Sequence, residues 1–135
     1  MFDTKVAILV LEDLAQWQKL NVTAFLATGI AAAAPEAMGE VYDDALGRPH
    51  GRLLGQPILI FAATSPVLRR AFAQAMERGL NRAAYVRAMF ETGHDAANRA
   101  AFRAEPAEAP DLVGLALRGP RRDVDKAIKG ASLHP

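Results

Sequence analysis

Residues 57–90 read PILIFAATSPVLRRAFAQAMERGLNRAAYVRAMF. Pro57 to Ala63 is a short, unbroken apolar run, the pattern of a strand buried on both faces. Ser65 is then suited to cap a helix, with Pro66 at the first helical position, where a missing N–H costs nothing. Val67, Leu68, Ala71, Phe72, Ala75 and Met76 recur at helical spacing as far as about Arg78, and Gly79 closes the segment. Ala83 to Phe90 is another apolar run. Strand, helix, strand is a βαβ unit, expected to cross over right-handed.

The alternation continues in both directions. Upstream, Lys5 to Leu11 (KVAILVL) is a buried strand, and Asp13 with Gln16 fits a helix-capping box. The helix that follows carries Leu14, Trp17, Val22, Phe25 and Leu26 on a broad apolar face and is expected to stop at Gly29. Downstream, a short helix from Ala96 to Phe102 precedes an extended link marked by Pro106 and Pro110. Leu112 to Leu117 is a fourth strand. Pro120 opens a last helix with Val124, Ala127 and Ile128 inward, ended by Gly130. Strands alternating with helices predict an α/β protein, three layers around a mostly parallel sheet. Residues 1–135 are expected to form a single domain, with an irregular Gly/Pro-rich insertion at about 31–56. That insertion fits loops with at most a short helix or hairpin, and both a functional connection and a surface excursion suit it.

Composition excludes several classes. With 51% hydrophobic residues and a net charge of +1, the chain is not of the disordered type. Without cysteine there is no disulfide, thiolate metal site or cysteine nucleophile. No apolar run reaches the ~20 residues a spanning helix needs, and the N-terminal run is too short for a secretory signal. A soluble, cytoplasmic protein without membrane association is the expectation. The 28 alanines, and 12 arginines against 4 lysines, fit a GC-rich bacterial genome or an arginine surface for phosphates. A net charge of +1 favours the first, so nucleic acid is not expected as a partner.

Open α/β sheets bind ligands beyond the carboxyl ends of their strands, here Glu12-Asp13, Thr64-Ser65 and Glu91 to His94. Lys19, Thr23 and Leu26 follow i, i+4, i+7 spacing, so a lysine and a threonine one turn apart are candidates to hold a carbonyl or an anion. A solvated lysine and a back-bonded threonine are the plain alternatives. His94 follows a glycine beyond a strand, a place suited to a general base or simply to an exposed loop histidine. His50, His94 and His134 lack metal-ligand spacing, and Asp43-Asp44 reads as a solvated turn. There is no phosphate-binding glycine loop and no serine nucleophile motif. Neither a metal nor a cofactor is expected.

Lys5 to Val10, Asp13-Leu14, Lys19, and later Gly119-Pro120, Asp125-Lys126 and Gly130 resemble the type II peptidyl-tRNA hydrolases. That resemblance implies their fold. It does not carry their chemistry across, because the family's histidine position is Leu26, its glutamine position is Thr23, and its D-A-G-x-T becomes Glu91-Thr92-Gly93-His94-Asp95. Leucine cannot transfer a proton, and one lost acid or base costs ~10²–10⁴ in rate. A fuller match lies in Glu12 to Gly29, Tyr42 to Gly47, Gln56-Pro57 and Phe90 to Ala100, which resemble the bacterial domain-of-unknown-function 2000 family. This resemblance implies a four-stranded mixed sheet between helices and no particular reaction, and the hydrolase likeness implies a homodimer.

The reading that follows is a protein that binds a small molecule or partner at the strand-end cleft, without hydrolase catalysis. Lys19, Asn21 and Thr23 would come from the first helix, with Lys19 holding an anionic or carbonyl group. Glu91, Thr92 and His94 would orient it, and the loop bearing Tyr42 and Asp44 would cover it. The rivals are an ester or amide hydrolase using Glu91 or His94, with Lys19 as a further catalytic candidate, and a purely structural or interaction module.

Overall fold

Every side chain from Val6 to Leu11 is buried, which is why that run shows no alternation. In this computed structural model, residues 2–135 are described. In chain order the elements are β1 (Thr4–Leu11), α1 (Gln16–Ala33), β2 (Tyr42–Asp43), β3 (Pro49–His50), β4 (Ile58–Ala63) and α2 (Ser65–Glu77). There follow β5 (Asn81–Val86), α3 (Asp95–Arg103), β6 (Leu112–Pro120), α4 (Arg121–Ala127) and β7 (Ser132–Leu133). Short 3-10 turns occupy Pro35–Ala37 and Arg87–Glu91.

The fold is α/β, with one five-stranded sheet ordered β5-β6-β1-β4-β7. The sheet is mixed rather than mostly parallel. Only β1 and β4 are parallel neighbours, because β6 runs antiparallel between β5 and β1. The two-residue strand β7 adds an antiparallel edge to β4, so the expected count of four strands falls one short. Helix α1 packs over β5, β6 and β1, while α2 and α4 pack on each other and over β6 and β1. β1 is buried at positions of both parities, so helices cover both faces of the sheet's centre.

Two glycines set how deep α1 lies. A Cβ on Gly114 of β6 would stand 2.3 Å from Val22 Cγ1 and 3.0 Å from Leu26 Cδ1. A Cβ on Gly29 would stand 2.9 Å from Ala83 Cβ on β5. Gly29 is therefore not the helix stop that its type suggests. It is an interior residue at a close helix–sheet approach, and α1 continues to Ala33. The start also differs: Ala15, not Asp13, is the N-cap, and its N–H donates to Gln18 Oε1 at 3.0 Å.

Other boundaries shift for local reasons. Thr64 rather than Ser65 caps α2, leaving Pro66 within the first turn. The third predicted strand is cut at Val86, where the pairing with β6 shifts register, and Arg87 to Glu91 coil into a 3-10 turn. Residues 31–56 keep the expected looped character beyond α1, with a two-residue hairpin β2–β3 turned at Gly47 (φ +77°). The buried Gln56 ties this segment down. Its amide donates to Thr4 Oγ1 at 3.2 Å, and its Oε1 accepts from Arg118 Nε at 3.0 Å.

Gly114→Ala should destabilise the protein by ~1–3 kcal/mol, the usual cost of overpacking a filled core. Gly51, with nothing within 4 Å of its would-be Cβ, is the control, and Gly51→Ala should change stability by no more than ~0.5 kcal/mol. Urea unfolding of the two variants checks both. Equal stability would mean that α1 has room to lift from β6.

Candidate functional site

With 3.6 residues per turn, positions four apart stay on one flank of a helix, and positions two apart are nearly opposite. Val22, Leu26 and Ile30 are the buried underside of α1, and Leu26 is only 2% exposed. Trp17, Asn21 and Phe25 follow one flank. Gln16, Lys19 and Thr23 follow the other. The residues expected to share one cleft, Lys19, Asn21 and Thr23, are therefore divided between two.

On the first flank lies a cleft of about 340 Å³, beyond the end of β5. Four aromatic rings build its wall. Trp17 meets Phe90 edge-on with centroids 5.7 Å apart, Phe90 lies 5.4 Å from Tyr85, and Tyr85 lies 6.0 Å from Phe25. Polar groups line the same space: Asn21, Thr92, His94 and Asn98. Tyr85 Oη donates to Asn21 Oδ1 at 3.4 Å, and burial pushes its phenol above the ordinary tyrosine range. Thr92 Oγ1 is hydrogen-bonded to the Met89 carbonyl at 2.9 Å and also to the Asn98 side-chain amide. His94 is the N-cap of α3, and its Nδ1 accepts the Ala97 N–H at 3.2 Å. With that lone pair used, the neutral ring carries its hydrogen on Nε2 and offers a donor, not a base.

On the second flank, α1 and β4 leave a groove of about 450 Å³ walled by Val10, Leu20, Ala24 and Ile60. Lys19 Nζ stands 3.1 Å from His134 Nε2 at one end of it. Thr23 lines the groove, but its hydroxyl donates to the Lys19 carbonyl at 2.7 Å, the back-bonded arrangement considered for it.

Tyr42 and Asp44 line neither space. Asp44 organises its own hairpin. Its carboxylate accepts from Leu46 N (2.9 Å), Arg48 N (3.1 Å) and Arg48 Nε (2.7 Å), and lies 3.0 Å from His50 Nε2. The His50 imidazole, then the Arg48 N–H and guanidinium, hold this carboxyl at about 2, below the usual 3.8. Glu91 is exposed and also stands outside both spaces. Among the described residues no three His, Asp or Glu side chains gather closely enough to hold a metal ion. No helix among them is long and apolar enough to cross a membrane.

The functional candidates missed in the sequence are Trp17, Phe25, Tyr85, Phe90, Asn98 and His134. Trp17 and Phe25 read as core, yet they are 60% and 54% exposed. The i, i+4, i+8 spacing of Trp17, Asn21 and Phe25 was the available signal. His134 had none, since its position depends on β7 pairing with β4.

A family model described as protein of unknown function (DUF2000) matches residues 4–135. The chain belongs to this family. The DUF2000 match takes in α1, both flanking spaces and the hairpin. Over its whole length the chain is also similar to a solved protein of unknown function from Agrobacterium tumefaciens str. C58. The two share 47% identity, with 100% of each chain covered and a TM-score of 0.95. No curated protein matches the chain.

Asp44 supplies a direct check on the hairpin. A carboxyl held lower in the folded state stabilises above its unfolded value of 3.8, and that contribution is lost as pH falls through about 2. The Asp44 side-chain carbon, followed by NMR, should titrate near 2, and the Leu46 and Arg48 amide shifts should move with it. A midpoint near 3.8 would mean that the carboxylate bonds do not form in solution.

Proposed function

We propose that this DUF2000 protein binds a small, planar, hydrogen-bonding molecule in the aromatic cleft beyond β5. One observation carries the reading: rings of Trp17, Phe25, Tyr85 and Phe90 stand in a chain around the side-chain amides of Asn21 and Asn98, with Trp17 and Phe25 largely uncovered. Exposed aromatic faces gain from stacking on a ligand's ring, and amides supply the paired donors and acceptors that fix a heteroaromatic edge. Thr92 and His94 border the same space and belong to the proposed binding set.

Hydrolysis of an ester or amide is the weaker reading. His94 has its Nδ1 engaged, Glu91 stands outside the cleft, and Leu26 is buried where the hydrolase resemblance would place a histidine. The likeness to type II peptidyl-tRNA hydrolases enters as a proposal about fold ancestry rather than chemistry. A cytoplasmic location and a homodimer stand on the same footing. The exposed apolar residues Val41, Leu46 and Leu53 of the 31–56 segment are the surface a homodimer would cover. Sedimentation should then show a species of twice 14.5 kDa, and a strictly monomeric species at all concentrations would remove the dimer.

Trp17 is the chain's one tryptophan and sits on the cleft. Its indole N–H resonance should therefore shift saturably with adenosine or uridine and stay unmoved by ribose. Asn98→Ala should weaken nucleoside binding about tenfold, as expected for losing a hydrogen bond of ~1.4 kcal/mol. Equal response to ribose, or none to either nucleoside, would overturn the reading.

A further inference from the structure

The second flank of α1 poses a separate problem. Apolar side chains surround this helix, so it cannot bury all of them against one sheet, and Leu20 is left 65% exposed. Beside it the α1-side residues of β4 are only partly covered, Ile58 being exposed and Ile60 half-buried. Strand β7 closes this edge of the sheet. Its pairing, extended by the His134 N–H donating to the Ile60 carbonyl at 3.0 Å, swings the His134 imidazole over to Lys19.

The proton arrangement there is constrained. Lys19 Nζ has only hydrogens to give, so it donates to His134 Nε2 at 3.1 Å. The imidazole hydrogen then sits on Nδ1, which donates to Pro135 O at 3.1 Å. Both ring nitrogens are used, and neither neutralises the ammonium. Of the four lysines, Lys126 and Lys129 are exposed, and Lys5 is paired with Asp125 at 2.6 Å. Lys19 is half-buried at the end of an apolar groove and pairs with no carboxylate among the described residues. Pro135 also lines this groove, with its O held on His134 Nδ1, so Lys19 meets that oxygen only through the imidazole. A partly desolvated cation with no carboxylate in direct ion-pair contact gains from a bound anion.

We propose that this groove binds a small organic monocarboxylate with an aliphatic tail. The carboxylate sits on the two free N–H groups of Lys19, and the tail lies along Val10, Leu20, Ala24 and Ile60. One compact ammonium with no arginine beside it matches a single negative charge rather than a phosphate dianion, which calls for several donors. The volume of about 450 Å³ lies within the ~300–1,000 Å³ of small-molecule sites. This site is independent of the aromatic cleft, which lies across the helix.

The probe is decanoate, titrated calorimetrically into the full chain. Wild-type protein should bind it saturably, and decan-1-ol, with the same tail and no charge, should bind at least tenfold more weakly. Lys19→Met keeps the apolar stem and removes the charge, so it should lose at least tenfold in decanoate affinity. Lys129→Met removes an exposed lysine on α4's side and should stay within twofold of wild type. A readout that needs no variant comes from wild-type NMR: decanoate should move the Ala24 and Ile60 methyl and His134 ring resonances and leave the Trp17 indole unmoved. Absence of decanoate binding, equal affinity for decan-1-ol, or unchanged affinity in Lys19→Met would overturn the proposal. So would a shift at Trp17 with none at Ile60, which would place the fatty acid in the aromatic cleft instead.

Discussion

The seat of Val22 on Gly114 governs the rest of the molecule. A glycine in β6 lets the helix backbone come down until Val22 Cγ1 occupies the space where a side chain would begin, and Gly29 repeats the device over Ala83. Close seating excludes voids and maximises dispersion contacts across the helix–sheet interface. It also fixes rotation, because Val22, Leu26 and Ile30 must all point down. Once they do, Trp17, Asn21 and Phe25 have to emerge on one side and Lys19 and Thr23 on the other. Both candidate sites are consequences of that single contact.

Much of the architecture is legible in the residues because burial leaves a local mark. Lys5 to Leu11 reads as a strand because β1 is covered on both faces and so must be apolar throughout. Pro57 to Ala63 carries the same pattern, although in β4 only Phe61 and Ala63 are buried and the α1 side is left partly open. Strand order leaves no such mark. That β6 inserts antiparallel between β5 and β1, or that Ser132-Leu133 pairs with β4, depends on partners far away in the chain. The helix face fails for a different reason. Apolar residues surround α1, so no stripe tells the buried Val22 from the exposed Trp17. Lys19 and Thr23, one turn apart, do share a groove as their helical spacing suggested, but Asn21, two residues from each, falls on the opposite flank.

Arginine usage takes on a structural meaning. Arg48 pairs with Asp44, Arg78 with Asp123, Arg87 with Asp111, Arg99 with Asp95 and Arg118 with Glu36. Most of these are solvent-facing and individually worth little, ~0–1 kcal/mol. Arg118 is the exception: it is largely covered and also donates to the buried Gln56, so it joins β6 to the segment entering β4. Five of the twelve arginines are thus paired with carboxylates.

Helix α1 separates the two spaces, and its seating bears on how they communicate. A ligand on one flank changes affinity on the other only if the intervening element has a second arrangement that the two ligands prefer differently. Sliding α1 would drive Val22 into the β6 backbone beside Gly114, and turning it would bring a larger residue to the position where Gly29 meets Ala83. Neither motion leads to another packed state, because interiors of this density do not deform gradually. Occupation of the aromatic cleft should therefore be felt at Lys19 only through screened electrostatics across the helix. For these two sites, additive binding is the consequence of a close-packed divider.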